Sequence, residues 1–180
     1  LAFCRGLEEC GIDFITLHPK RQKDGSARSA RWQYVDLLRD ELRVPVLGNG
    51  GITSWETYVS RRDRASSQTH LGGLMVGRGA ARAPWIFAYL RGREVDPSYE
   101  LTVDLLAVVN RFLALTEDHQ PPDFWASRAR RLYPYFLHNV RFGHTAGAQL
   151  AAMHDYEEGK RRVRAFFKDK PERRNHVERS

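Results

Sequence analysis

Along the first half of the chain, apolar residues recur either at helical intervals or in short continuous runs, and the two patterns alternate. The pattern predicts the end of a helix over residues 1–10 with Gly11 as its C-cap, then a strand over 13–18 stopped by Pro19. A polar, basic loop follows over 20–31. Tyr34, Val35, Leu38 and Leu42 share one helical face within 32–42, and the next strand is 44–47. Ser54 is placed to cap a helix starting at Trp55, which should give way to a solvated turn over 61–68 before a strand at 73–76. Pro84 suits the first turn of another helix, carrying Trp85, Ile86, Phe87, Tyr89 and Leu90. After Asp96-Pro97 the strand pattern stops. Helices are expected over 99–115, 124–140 and 147–167, with Pro121-Pro122 breaking the chain and a frayed, charged tail over 168–180.

Two of the predicted strands end in glycine, Val44-Pro45-Val46-Leu47-Gly48-Asn49-Gly50-Gly51-Ile52 and Gly73-Leu74-Met75-Val76-Gly77-Arg78-Gly79-Ala80. Near-continuous apolar runs belong to parallel strands covered on both faces, and in β/α barrels the chemistry lies in the loops that follow the strands. Asn49, Gly50 and Gly51 offer backbone amides and a side-chain amide at one strand mouth. Gly77 and Arg78 do the same at the next, where a guanidinium can fork onto phosphate oxygens. Either motif alone also serves as a tight turn; in tandem they point to a phosphate-bearing ligand. His18 ends its strand on the same face, a position that also suits a histidine held by loop backbone.

The fold class that follows is α/β: the C-terminal part of a (β/α)8 TIM barrel over residues 1–96, then an all-α helical domain with a charged tail over 97–180. A closed barrel takes about 250 residues. This chain has 180, and its strand candidates all precede residue 80, so it is expected to be a fragment that folds poorly alone and exposes an unpaired strand edge.

The net charge of +7 and pI near 9.7 favour a polyanionic partner, nucleic acid before others. In the helical region Arg128, Arg130, Arg131, Lys160, Arg161, Arg162 and Arg164 alternate with Trp125, Tyr133, Tyr135, Phe136, Phe166 and Phe167. Trp125, Tyr133, Phe136, Leu137 and Val140 have the spacing of a helix core face, and the run over 160–164 also reads as an ordinary solvated face. Cys4 and Cys10 fit no metal spacing, so no metal is expected, and a reduced, cytoplasmic setting is the default. No run reaches the roughly 18 apolar residues of a membrane helix, so no membrane partner is expected.

From these motifs the chain resembles the tRNA-dihydrouridine synthases. Residues 44–52, 72–80 and Ala83-Pro84-Trp85-Ile86-Phe87 are similar to the family's C-terminal half. Residues 13–20, Asp-Phe-Ile-Thr-Leu-His-Pro-Lys, are similar to its strand ending in histidine and basic residues. The likeness covers the whole chain in organisation, with specific motifs between Gly11 and Phe87.

The resemblance implies an FMN-binding barrel followed by a helical tRNA-binding domain. It places the FMN phosphate at Asn49, Gly50, Gly51, Gly77 and Arg78, and His18 near the flavin ring. Lys20 and Arg21 stand where the family commonly has arginine then threonine; with Arg128, Arg131, Lys160 and Arg161 they are the RNA-binding candidates. The implied reaction reduces a uridine of tRNA to dihydrouridine. NADPH reduces FMN, hydride passes to uracil C6 and a cysteine protonates C5, the uridine having left its stack.

That cysteine belongs to an Asn-x-Gly-Cys-Pro loop which, like the family's flavin-contacting lysine, does not occur in this sequence. Cys10 does not match it, so no catalytic residue is assigned, and the fragment alone is expected to be inactive. The full-length enzyme is expected to be a monomer. Two other readings stay open: an FMN barrel of the dihydroorotate dehydrogenase type, against which the appended basic helices argue, and a non-catalytic RNA-binding remnant.

Overall fold

The computed structural model describes residues 1–24, 29–66, 72–169, 172 and 174–178. The chain divides into two compact units, Leu1–Gly79 and a second from Ala80 onward. The division falls earlier than residue 96, where the pattern ends the barrel portion. It groups the helix Ile86–Val95 with the second unit, where Trp85 packs on that unit's core and Gly92 lies flat against Tyr99.

The first unit alternates helix and strand: α1 (Ala2–Glu9), β1 (Ile15–Leu17), α2 (Gln33–Glu41), β2 (Val46–Asn49), α3 (Trp55–Ser66) and β3 (Leu74–Met75). The strands form a parallel sheet in the order β1-β2-β3, with Leu17 opposite Gly48 and Asn49 opposite Met75. Trp32, Val35, Leu38, Leu42, Val46 and Ile52 make its core, the face that the spacing of α2 predicts. Gly11 adopts φ +81 just beyond α1, the left-handed cap that glycine makes without a Cβ penalty. The Glu8 carboxylate accepts the amides of Arg43 and Val44 at 2.6 and 2.9 Å, tying α1 to the start of β2. The Val44 amide, ahead of the other contacts, holds Glu8 below the usual carboxylate range.

Two expectations change here. The basic loop contains a 3-10 turn, Gln22–Asp24, while residues 25–28 lie outside the described residues. The solvated turn predicted over 61–68 is instead helical through Ser66, with 67 and 68 outside the described residues. Ser54 and Thr57 cap α3 reciprocally, at 3.3 and 3.0 Å. Arg61 stacks over Trp32 at 4.8 Å and Arg62 over Tyr58 at 5.7 Å, so cations that look solvated in sequence line an aromatic face.

A short helix, α4 (Arg78–Arg82), precedes α5 (Ile86–Val95). The helices α6 (Leu105–His119), α7 (Pro122–Phe136), α8 (Gly143–Ala151) and α9 (Tyr156–Lys168) follow, with a 3-10 turn over Leu137–Asn139. Val109, Leu113, Phe136, Leu137, Val163 and Phe167 are fully buried in their core. Tyr133 and Val140 join them, and Trp125 is half-buried with its Nε1 donating to Gln120 O at 2.8 Å.

The single helix expected over 147–167 is two, because Asp155 caps a new start by accepting from Glu158 N at 3.0 Å. The second unit is also not free of strands. β4 (Leu101–Asp104) pairs antiparallel with β5 (Asn175–Glu178), which lies in the tail expected to fray. Arg174 Nε donates to Asp104 at 2.8 Å, and Trp85 Nε1 to Glu178 at 3.0 Å, so both ends of the ribbon are fastened.

Candidate functional site

Parallel pairing sets the carboxyl ends of β1, β2 and β3 side by side, which is where the sequence places its ligand groups. His18 follows β1, is exposed, and its Nδ1 lies 3.2 Å from Asn49 O. A carbonyl can only accept, so Nδ1 carries the proton in this pair. Asn49 Nδ2 donates to Met75 Sδ at 3.2 Å, linking β2 to β3.

The glycines differ from one another. Gly50 is buried at φ +131, and a Cβ there would lie 2.6 Å from Ala30 Cβ, so its place is fixed by backbone and packing together. Gly51 is exposed at φ +73 with nothing within 4 Å of a Cβ position, and Gly77 is equally open. Open space beside bare backbone is what an incoming phosphate requires. Arg78 is exposed and has no hydrogen-bond or ion-pair partner among the described residues. The group is therefore an unspent cation beside accessible glycine backbone, and it fits a phosphate.

Trp32 supports this turn from below, a role the sequence pattern did not single out. Its Nε1 donates to Gly50 O at 3.0 Å, and a Cβ on Gly48 would lie 2.3 Å from its ring, so the indole occupies the room that Gly48 leaves. The Trp32/Gly48 complementarity is readable only once α2 and β2 are known to pack. Asp24 is a second missed residue. Buried in the basic loop, it binds Arg31 at 2.8 and 2.9 Å and receives both the Arg21 amide, at 3.0 Å, and the Arg21 guanidinium, at 3.5 Å. Arg21 thus already holds a carboxylate, and the Lys20 amide donates to His18 O at 2.8 Å.

The basic candidates of the second unit divide in the same way. Lys160 bridges Glu117 at 3.0 Å and Glu157 at 2.8 Å and lies over the Tyr156 ring, while Arg161 pairs with Glu158. Glu117 is held below the usual carboxylate range first by the Tyr156 hydroxyl, which donates at 2.7 Å, and next by Lys160. Tyr156 is pushed upward in turn, mainly by burial and then by Glu117. Arg128 reaches only the Gln120 amide oxygen, at 3.5 Å, and Arg131 is exposed without a partner among the described residues. A shallow groove of about 410 Å³ along α9 is lined by Lys160, Arg161, Arg164 and Lys168 with Glu157 and Asp169. Of these, Lys168 is exposed and unpaired among the described residues.

Among the described residues no group of His, Cys, Asp and Glu is placed to hold a metal ion, and Cys4 and Cys10 are free thiols. No helix among them is long and apolar enough to cross a membrane.

Parallel strands whose glycine ends adjoin an arginine without a hydrogen-bond or ion-pair partner among the described residues define a β/α protein with a candidate phosphate site. The chain belongs to the dihydrouridine synthase family, whose model, described as "Dihydrouridine synthase (Dus)", matches residues 1–170. Among curated relatives it is similar to a "Probable tRNA-dihydrouridine synthase" of Rickettsia bellii, 26% identical over 61% of this chain and 34% of the relative. A protein of the same name from Aquifex aeolicus is 28% identical over 56% of this chain and 31% of its own length. A "tRNA-dihydrouridine(47) synthase [NAD(P)(+)]" of Malassezia globosa is 32% identical over 51% and 14%. The chain thus spans about a third, or less, of the length of these relatives.

Proposed function

We propose that this chain supplies the C-terminal part of the barrel and the helical tRNA-binding domain of an FMN-dependent enzyme that reduces uridine in tRNA to dihydrouridine, with NADPH as reductant. The observation that carries the reading is the open glycine backbone at Gly51 and Gly77, with Arg78 free of hydrogen-bond and ion-pair partners among the described residues and His18 against Asn49 and Gly50, in a chain of the dihydrouridine synthase family. The relatives' names support tRNA as the substrate, and one of those names carries NAD(P)(+).

FMN, when bound, supplies the hydride for the uracil ring. The chain's own part is to bind and orient. Asn49, Gly50, Gly51, Gly77 and Arg78 hold the phosphate through backbone amides and a guanidinium. His18, its Nδ1 engaged by Asn49 O, keeps Nε2 for the ring or the base. On the first unit Lys20, and on the second Arg131, Arg128 and the α9 groove, offer tRNA positive charge, while Arg21, Lys160 and Arg161 are occupied by carboxylate partners within their own units. No residue of this chain is assigned as the proton donor to C5. The setting proposed is the cytoplasm, and the full-length enzyme a monomer.

The test is flavin content and activity of the full-length gene product. Copurifying FMN, with NADPH-dependent conversion of uridine in an unmodified tRNA transcript, is the expected outcome. A flavin-free protein that binds tRNA without converting it would favour the non-catalytic RNA-binding reading, and FMN binding with no effect on tRNA would favour a small-molecule oxidoreductase.

A further inference from the structure

Phe142 stands apart from every other residue of the second unit. It precedes α8 with φ +60 and ψ +13, the only non-glycine residue in the left-handed region among the described residues, and it is 66% exposed. A bulky side chain in that backbone conformation is an outlier that costs stability, which glycine or asparagine would avoid. No burial offsets it here. The turn is held by its surroundings: Gly143 N donates to Val140 O at 2.9 Å, and a Cβ on Gly143 would lie 1.9 Å from Leu137 O. Leu137 and Val140 are themselves buried, so the backbone is clamped and the phenyl ring is kept out in solvent.

The ring is not bare. The Arg141 guanidinium lies over it, 4.9 Å from the ring centre, and Arg141 is exposed too. Just upstream in the chain, Asn139 accepts from Arg82 Nε at 3.3 Å and donates to Arg82 O, anchoring a further exposed arginine at this turn. A rigid, outward aromatic ring stacked with a planar cation, in a chain of net charge +7, matches a ligand that is flat, π-rich and anionic. An apolar protein surface would have to bury the Arg141 charge, whereas a nucleotide offers a base to the ring and a phosphate to the guanidinium.

We propose that Phe142 and Arg141 form a stacking platform for one unpaired base of the bound RNA. This rests on the tRNA reading above and adds to it a site that selects single-stranded over fully paired regions, because a base inside a duplex has both faces covered.

The test compares the full-length protein with its Phe142→Asn and Phe142→Trp forms in fluorescence anisotropy titrations against an unmodified tRNA transcript and a perfectly paired RNA duplex of similar length. Asparagine tolerates the left-handed backbone, so Phe142→Asn should fold, and a melting temperature no lower than that of the unaltered protein checks it. Phe142→Asn should weaken tRNA binding about tenfold, the size expected for one lost base-aromatic stack, with the slope of log affinity against log salt unaltered. Phe142→Trp should retain binding, and duplex affinity should not respond to either change. Equal tRNA affinity of the Phe142→Asn and unaltered proteins, or an equal loss on the duplex, overturns the platform while leaving the tRNA reading standing. Failure of the unaltered protein to bind tRNA at all overturns both.

Discussion

At the strand ends of the first unit the candidate groups are backbone amides, an imidazole against Asn49 O and one arginine with no hydrogen-bond or ion-pair partner among the described residues. On the helices of the second unit the corresponding groups are charges, and several already face opposite charges: Lys160 against Glu117 and Glu157, Arg161 and Arg162 against Glu158, Arg174 against Asp104. One region keeps a site ready by leaving space unfilled. The other keeps its surface ordered by filling its own valences, so that the count of basic residues overstates the positive charge free to meet a ligand. Arg78 and Arg131 are therefore better candidates for phosphate contact than Lys160 or Arg161, although the four look alike in sequence.

The largest effect expected from this contrast is in the first unit. Gly72→Ala would set a Cβ 1.4 Å from Val46 O, on the backbone that joins β2 to β3, and should cost roughly 3 kcal/mol or more in urea unfolding. Gly77→Ala, with nothing within 4 Å, should stay within about 1 kcal/mol. Similar losses in both would show that space around the glycines is not what distinguishes them.

Next is Arg78→Ala, expected to weaken FMN binding by the full-length protein about ten- to a hundredfold in flavin fluorescence titrations, for want of a charge-assisted contact. Its unfolding midpoint should not move, since no hydrogen-bond or ion-pair partner among the described residues is lost. A shifted midpoint with unchanged flavin affinity would make Arg78 structural.

Glu117→Gln probes the second unit's self-pairing. The folded carboxyl titrates below its ordinary value of 4.5, so its stabilisation is fully present above that value and is lost as pH falls through the depressed one. The variant should lose on the order of 1 kcal/mol at pH 7 and show a shallower fall in stability below pH 4.5 by urea unfolding. An acid limb as steep as that of the unaltered protein would exclude Glu117 from the network's pH response.

The smallest effect separates two cations on RNA. Arg131→Gln should reduce the salt slope of tRNA binding by about one phosphate contact, whereas Lys160→Gln should leave the slope nearly unchanged and lower stability instead. Equal slope changes would mean that the carboxylates beside Lys160 do not restrain it.

Much of this arrangement was legible before any coordinates. Val35, Leu38 and Leu42 set the core face of α2 by spacing alone, although Tyr34, read with them, is 46% exposed, and the glycine runs marked β2 and β3, because buried parallel strands and their turns leave a local signature. What escaped depends on partners distant in sequence. Leu101-Thr102-Val103-Asp104 reads as part of the helix that follows, since two cycles of apolar-polar alternation are too short to stand out against the helical spacing that continues beyond them, and its partner Asn175–Glu178 sits in a charged segment. Trp32 beneath Gly48 and Gly50 escaped for the same reason, because a tryptophan near a helix start carries no mark of the backbone it will support. Ion pairing escaped too: Glu117 and Lys160 are on different helices, and composition counts both as solvent-facing.

The β4–β5 ribbon also bears on how the protein is made. Its first strand is synthesised before α6 and its second after α9, so a ribosome must deliver the whole run of helices before the pairing can begin. Until then Leu101–Asp104 is a nascent edge, and Trp85 lacks the Glu178 carboxylate that its indole meets in the finished fold. A stalled or prematurely terminated chain would thus display a helical unit with its fastening undone, a state that quality-control proteases could recognise by that strand alone.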